Sequence, residues 1–270
     1  MHTTTNGLST DMHSRWFTLG LAGVAGTAFA AVGDPPGIDA HRLWVYAHLL
    51  VFVFWLGADL GAFLCARAAA NPALTPEQRS RTLELMRSID LAPRIAASLM
   101  LTVGGVLTEY VGIPHPWWQF GGIVALAPVW LMVVLLGHFR QGTSVGLAML
   151  RLDEGIRALL VVAVPASVYW SWSTGRLAAA PYVAAKLLLF ALVMLVGLLL
   201  RRRWVGAPGL ERSGPELLRV HRRTVPLVIA IWTGLAIAAL LGIAKPGAPV
   251  IKPATPLAAA GGAGPELPAR

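Results

Sequence analysis

This sequence predicts an all-α fold, a polytopic transmembrane helix bundle with six strong spans and an N-terminal seventh, and three observations carry that expectation. The 270 residues are 56% hydrophobic and only 13% charged, whereas a soluble domain carries about a quarter charged residues. Mean hydropathy is +0.65. The apolar residues fall in uninterrupted runs, each near the ~20 residues that cross a bilayer as a helix. The net charge of +9 comes from arginines on the segments between those runs, which is the positive-inside pattern and not a nucleic-acid patch. The expected partner is therefore the lipid bilayer, with no nucleic acid. A membrane or cytoplasmic protein docked on the basic loops is a further partner this pattern allows. The single cysteine, Cys65, excludes an intrachain disulfide and a cysteine-based metal site.

Residues 1–15 are polar and read as a disordered N-terminus, residues 16–244 as the transmembrane helical bundle, and residues 245–270 as a flexible Pro/Ala/Gly-rich tail. Trp16 to Val32 is a modest apolar run with Gly20, Gly23 and Gly26. It reads as a small-residue helix packed closely on its neighbours, or as a signal peptide ending at Ala28-Phe29-Ala30. Asp34-Pro35-Pro36-Gly37 is a turn. The first strong span, 42–65, follows. In the next loop Thr75-Pro76-Glu77-Gln78 has the N-cap, N1 proline and N3 glutamine of a capping box. Leu83, Met86 and Ile89 then recur at helical spacing, so a short interfacial helix is expected.

The second span is 94–111 and the third 117–136, with a tight hairpin between them. A polar loop, 137–154, leads to the fourth span, 155–172, and the fifth is 180–200. Ser213-Gly214-Pro215-Glu216 is another capping signature, so a short helix is expected in the basic loop 201–224 before the sixth span, 225–243. Pro128 and Pro165 lie mid-span and should kink their helices.

Loops 66–93, 137–154 and 201–224 carry most of the arginines and fall on one side, which the positive-inside rule makes cytoplasmic. The expected location is a bacterial-type inner (plasma) membrane, multi-pass, with the N-terminus cytoplasmic and the C-terminus outside. Tyr110, Trp117, Trp118, Tyr169, Trp170, Trp172 and Tyr182 gather at the opposite boundary, as an aromatic belt does.

Polar residues inside the spans are the candidates for function, because each is costly in hydrocarbon. At ~100° per residue, His48, Trp55 and Asp59 fall within roughly 20° of one line along the first span, so that stripe should face protein or a water-filled cavity. His48, Glu109 and Lys186 share one layer in the outer third of the membrane. Glu109 and Lys186 either pair there or snorkel to the interface. His48 is either hydrogen-bonded to a neighbouring helix or a ligand to copper or haem iron, which suit neutral imidazole. His115 in the outer hairpin is a second candidate metal ligand if it folds inward. Met100, Met132 and Met194 are soft ligands or packing residues. A second polar layer near the inner face holds Asp59, Asp90, Arg94, His138, Arg140, Asp153 and Arg157. In it Asp59–Arg94 reads as a structural ion pair, or Asp59 as part of a proton or cation relay to His48. No Walker-type glycine loop, HExxH or Ser/His/Asp grouping occurs, so catalytic residues are unassigned.

His48, six intervening residues and then Trp55-Leu56-Gly57 resemble the first-span signature of CopD-like membrane proteins. That group takes in the copper-resistance CopD proteins, the DUF2269-type family and, more distantly, the HemJ protoporphyrinogen oxidases. Arg94 onward with Gly104-Gly105 is similar to their second helix. Tyr182 to Leu189, with Lys186, is similar to the lysine-bearing span of HemJ-type proteins, with Tyr182 in place of tryptophan. The resemblance implies haem b or copper held through His48, with Trp55, Lys186 and Glu109 around it, for redox or metal handling. The residues alone leave open a proton-coupled small-solute carrier, or an accessory membrane subunit with no cofactor of its own.

Overall fold

The computed structural model describes residues 39–205 and 214–247. The expectations for residues 1–15, for the run 16–32 and for most of the tail lie outside the described residues. Among the described residues there is no strand. The helices are α1 (Ala40–Ala69), α2 (Pro76–Ile89), α3 (Leu91–Tyr110), α4 (Trp117–Phe139), α5 (Ser144–Ser173), α6 (Tyr182–Val205) and α7 (Gly214–Ala244), with a 3-10 turn at Arg176–Ala179.

Among the described residues five segments are long and apolar enough to cross a membrane: α1, the α2–α3 stretch Pro76–Tyr110, α4, α6 and α7. The chain is thus an all-α, multi-pass membrane protein; five of the six expected strong spans stand among the described residues, and the expected N-terminal seventh lies outside them. The fourth expected span is the exception. It belongs to α5, whose first half carries Arg151, Asp153, Glu154 and Arg157, so part of that helix is held by polar contacts and not by lipid.

Local chemistry sets the helix ends. Asp39 Oδ1 accepts from Arg42 N at 2.8 Å and opens α1. The expected capping box forms at α2: Thr75 Oγ1 accepts from Gln78 N and Gln78 Oε1 accepts from Thr75 N. This helix is not a surface amphipathic segment alone. Arg79 is 3% exposed and its guanidinium donates to the carbonyls of Ala69, Asn71 and Leu74, locking the α1–α2 loop. Asp90 alone separates α2 from α3. Gly112 and Gly175 take positive φ where the chain must turn after α3 and α5.

Two loops read as polar are largely helical. Residues 137–154 contain the first turns of α5, because Thr143 caps them by accepting from Gly146 N at 3.1 Å. The short helix expected within 201–224 is the start of α7 itself. Leu217, His221, Thr224, Val228, Ile231 and Leu235 are buried at spacings of three and four. That stripe passes Pro226 unbroken, so one helical face packs along the whole length and the two segments merge.

The closest helix-to-helix approaches join α3 to α4, α4 to α5, α5 to α6 and α6 to α7, with α2 against α3. Trp55, Trp130, Val134, Met194 and Ile231 lie in the common core. Trp117, Trp118, Tyr169 and Trp172 are exposed at one end, the aromatic end. Tyr182, expected with them, is buried in a separate cluster with Ile113, Val168 and Leu177. Arg176 closes that end: it donates to Pro114 O and Gln119 Oε1 and lies 5.0 Å over the Trp170 ring.

Gly146 tests the α4–α5 turn. A Cβ there would sit 2.0 Å from the Arg140 carbonyl oxygen, and backbone cannot yield as a side chain can. Gly146→Ala should lower stability by about 2 kcal/mol or more, read as a lower unfolding midpoint in detergent. Gly155→Ala in the same helix meets nothing within 4 Å and should leave the midpoint unchanged or raise it slightly, since alanine is the better helix former.

Candidate functional site

The polar residues expected in one outer layer separate into two arrangements. His48 on α1 faces α3, where a Cβ added to Gly104 would lie 3.4 Å from its Cε1. Its Nδ1 is buried with no hydrogen-bond partner, and the charged group acting on it is Lys186. Lys186 Nζ rests against α7 at Gly242, where an added Cβ would stand 2.9 Å away. Glu109 does not pair with Lys186. Its Oε1 meets His115 Nδ1 at 2.6 Å and accepts from His115 N at 2.9 Å, and His115 Nε2 faces Thr108 Oγ1 at 3.5 Å. A partner six residues away across a hairpin costs little loop entropy compared with one across the bundle, so the local pair forms. His115 is thereby engaged within the hairpin.

Trp55, expected beside a cofactor on His48, packs within the core. It is 4% exposed, meets Phe190 edge-on at 6.3 Å and lines a cavity at the other, basic end. Of the methionines, Met194 lines the same cavity, whereas Met132 is 58% exposed on the bundle's outside.

The basic end holds the densest polar contacts of the bundle. Asp153 on α5 is 0% exposed, and four donors meet its carboxylate. Trp130 Nε1 and Arg157 Nε donate to Oδ1 at 2.8 and 3.1 Å. Arg94 Nη2 and Arg201 Nη1 donate to Oδ2 at 3.2 and 2.9 Å. The Arg157 guanidinium also lies 5.3 Å over the Trp130 ring, and Arg201 Nε reaches Glu154 Oε1 at 3.1 Å. One carboxylate therefore joins α3, α4, α5 and α6.

The expected Asp59–Arg94 pair is corrected by the same contacts. Arg94 turns to Asp153, whose complete burial requires charge-assisted partners. Asp59 Oδ2 accepts from Trp232 Nε1 on α7 at 2.8 Å. Trp232 meets Phe63, which in turn meets His221, at ring distances of 5.3 and 5.1 Å. Asp153 and Arg157 were legible as polar residues of the inner layer, and their i, i+4 spacing is a pairing signal. Arg201 and Trp130 carry no such signal: Arg201 opens an arginine run that reads as loop, and Trp130 is one apolar residue among many within a span.

Between these groups lies a cavity of about 880 Å³. Asp59, Asp90, Arg94, Arg157 and Arg201 line it, with Trp55, Phe63, Met194, Val228 and Ile231 as apolar wall. Two guanidinium nitrogens of the network, Arg94 Nε and Arg157 Nη2, are buried without hydrogen-bond partners. Among the described residues no three His, Cys, Asp or Glu side chains converge as a metal cage. An apolar-walled cavity with a few convergent charged groups has the make-up of a small-molecule site.

The fold and this cavity define a class, an all-α multi-pass membrane protein with a charged chamber inside the helix bundle. Comparison with protein-family models, curated proteins and solved structures finds no match to the chain.

Removing the carboxylate that holds three guanidiniums should be severe. Asp153→Asn is expected to cost about 3–5 kcal/mol, seen as a large drop in unfolding midpoint or failure to accumulate in the membrane. Adding Arg157→Gln to Asp153→Asn should recover part of that loss, because one buried charge fewer is then unpaired. Equal losses in the single and double variants would mean the network is not what holds these helices.

Proposed function

We propose that this protein is a carrier that binds a small solute in the basic-end cavity and couples its movement to protonation of Asp59. The observation that carries the reading is the cavity itself, about 880 Å³ and lined by carboxylates and guanidiniums at the basic end of the bundle. Ionisable groups are kept inside a bundle at such cost where they serve a pathway. Asp59 stands at the cavity wall with one carboxylate oxygen on Trp232, so its other oxygen is available to a proton or a ligand. The positive-inside rule orients the basic end to the cytoplasm of a bacterial-type inner membrane, with the N-terminus inside and the C-terminal tail outside.

The test is proton flux in proteoliposomes holding the purified protein and an entrapped pH dye, challenged with a panel of amino acids, organic acids, amines and neutral solutes. At least one class should drive proton entry, and Asp59→Asn should cut that flux at least ~10-fold. No flux with any class, or full flux in Asp59→Asn, sinks the carrier.

His48 supports a second reading, the haem b or copper site that the CopD-like resemblance implies. Its buried, unpartnered Nδ1 is the state of an imidazole nitrogen awaiting a ligand. The fit is to a single protein ligand only, because His115 is engaged by Glu109. Bound there, haem or copper would supply one-electron chemistry, while Gly104 lets α3 pack close against the ring and Lys186 supplies the nearby positive charge. Protein purified from cells supplied with copper and haem precursor should show a Soret band or one equivalent of copper, lost in His48→Ala. A colourless, metal-free preparation counts against it.

A further inference from the structure

We infer that the aromatic end of α6 and α7 holds an anionic phospholipid, its phosphodiester oxyanion between the ammonium groups of Lys186 and Lys245. This site is independent of any solute in the basic-end cavity. The chain has only three lysines, Lys186, Lys245 and Lys252, and Lys186 and Lys245 come together at one place. Close approaches at glycines fix how α6 lies against α7. A Cβ added to Gly234 would stand 3.0 Å from Val193, one added to Gly242 2.9 Å from Lys186 Nζ, and one added to Gly247 2.7 Å from Pro181. The two helices therefore run antiparallel, and residues 245–247 fold over the start of α6. Lys245 falls between Gly242 and Gly247, about one helical turn beyond the glycine on which Lys186 Nζ rests.

Neither ammonium has a hydrogen-bond or ion-pair partner among the described residues. Glu109, expected to pair with Lys186, is engaged by His115. Lys186 Nζ is not among the sealed polar atoms of the bundle, so a ligand can reach it. Lys245 is exposed and takes a left-handed backbone, φ 43°, where the end of a helix usually places glycine or asparagine. The two cations also act on each other electrostatically. Like charges side by side at a low-dielectric boundary are costly, and one oxyanion between them relieves both. Depth selects the source of that oxyanion. Lys186 lies about 6 Å inside the start of α6, at the usual rise per residue, and Lys245 stands just past the last residue of α7. Exposed Trp117, Trp118, Tyr169 and Trp172 mark the same end as headgroup level. A lysine stem laid along apolar surface carries its ammonium to that level. A choline or ethanolamine headgroup brings its own cation beside the phosphate, so two lysines favour a headgroup that brings none.

The test counts lipids on the full chain in neutral detergent, by native mass spectrometry during titration with phosphatidylglycerol or phosphatidylcholine. Exposed Arg219, Arg222 and Arg223 at the basic end also draw anionic lipid, so the readout is the equivalent lost when the lysines change. Lys186→Met and Lys245→Gln remove the charge and keep most of the side-chain length. Each should weaken one equivalent of phosphatidylglycerol about 5-fold, and together they should remove it while the phosphatidylcholine count stays as in wild type. An unchanged phosphatidylglycerol count in the double variant overturns the site. Lys245→Gln alone, at an exposed position, decides the matter if Lys186→Met does not fold: unchanged phosphatidylglycerol affinity there overturns the site as well. The unfolding midpoint separates lipid from free anion. Phosphatidylglycerol should raise it in wild type more than inorganic phosphate does, and less in the double variant. Inorganic phosphate that matches phosphatidylglycerol gives the lysines to a free anion and overturns the lipid assignment.

Discussion

A single buried carboxylate determines how this bundle is assembled. Asp153 has no exposed surface, and in a membrane neither lipid nor bulk water can share its charge. Desolvating an ion costs several kcal/mol even after relaxation, so the surrounding helices must supply donors. They do so from four elements: Arg94 of α3, Trp130 of α4, Arg157 of α5 and Arg201 of α6. The consequence is geometric as well as energetic. Helices in lipid have little hydrophobic reason to associate, and a shared anion fixes which of them are neighbours and at what depth. It also leaves more guanidinium nitrogens than one carboxylate can accept from, which is why two of them are buried without a partner.

α1 is held differently. Its contacts to the other helices run through side chains: Trp55 on Phe190, Phe63 on His221 and Trp232, Asp59 on Trp232, and His48 against Gly104. None of these is an ion pair, and each is worth about a kcal/mol or less beyond its burial. α1 supplies one wall of the cavity, through Trp55, Asp59, Ala62, Phe63 and Ala66. A cavity whose α3, α5 and α6 walls are pinned by a charge network while α1 is held by aromatic contacts has a built-in difference in stiffness. Motion that admits a solute is expected at the softer wall, as sub-global openings follow the least stabilised elements.

Much of this architecture is readable from residues, and the unread part has a common cause. Run length and arginine spacing give the helical class and most span positions, because both follow from the bilayer's thickness and charge asymmetry. The capping box at Thr75 is local chemistry and is legible for the same reason. The inward turn of the His48, Trp55, Asp59 stripe follows from helical geometry. What sequence reading misses is choice of partner. Arg94 sits as plausibly opposite Asp59 as opposite Asp153, and depth alone cannot separate them; rotation of each helix about its axis does. Glu109 meets His115 and not Lys186 because a hairpin closes locally. The merged α7 was hidden by Pro226, although the buried spacing from Leu217 to Leu235 runs straight through it.

The two unmet polar sites stand at opposite ends of one helical stripe, and this bears on whether they act together. His48 and Asp59 are separated by about 16 Å along α1, at the usual rise per residue. Between them the stripe presents Trp55, buried and packed on Phe190, whose aromatic body offers no string of donors and acceptors for a proton to follow. Trp55 therefore supplies no side-chain step between Asp59 and His48. A mechanical coupling of the two ends is open to the structure, because the same helix that lines the cavity at Trp55 and Asp59 carries His48 against Gly104. A helix held by aromatic contacts at one end and by close packing against a glycine at the other can transmit a shift, because each contact is lost over a fraction of an ångström.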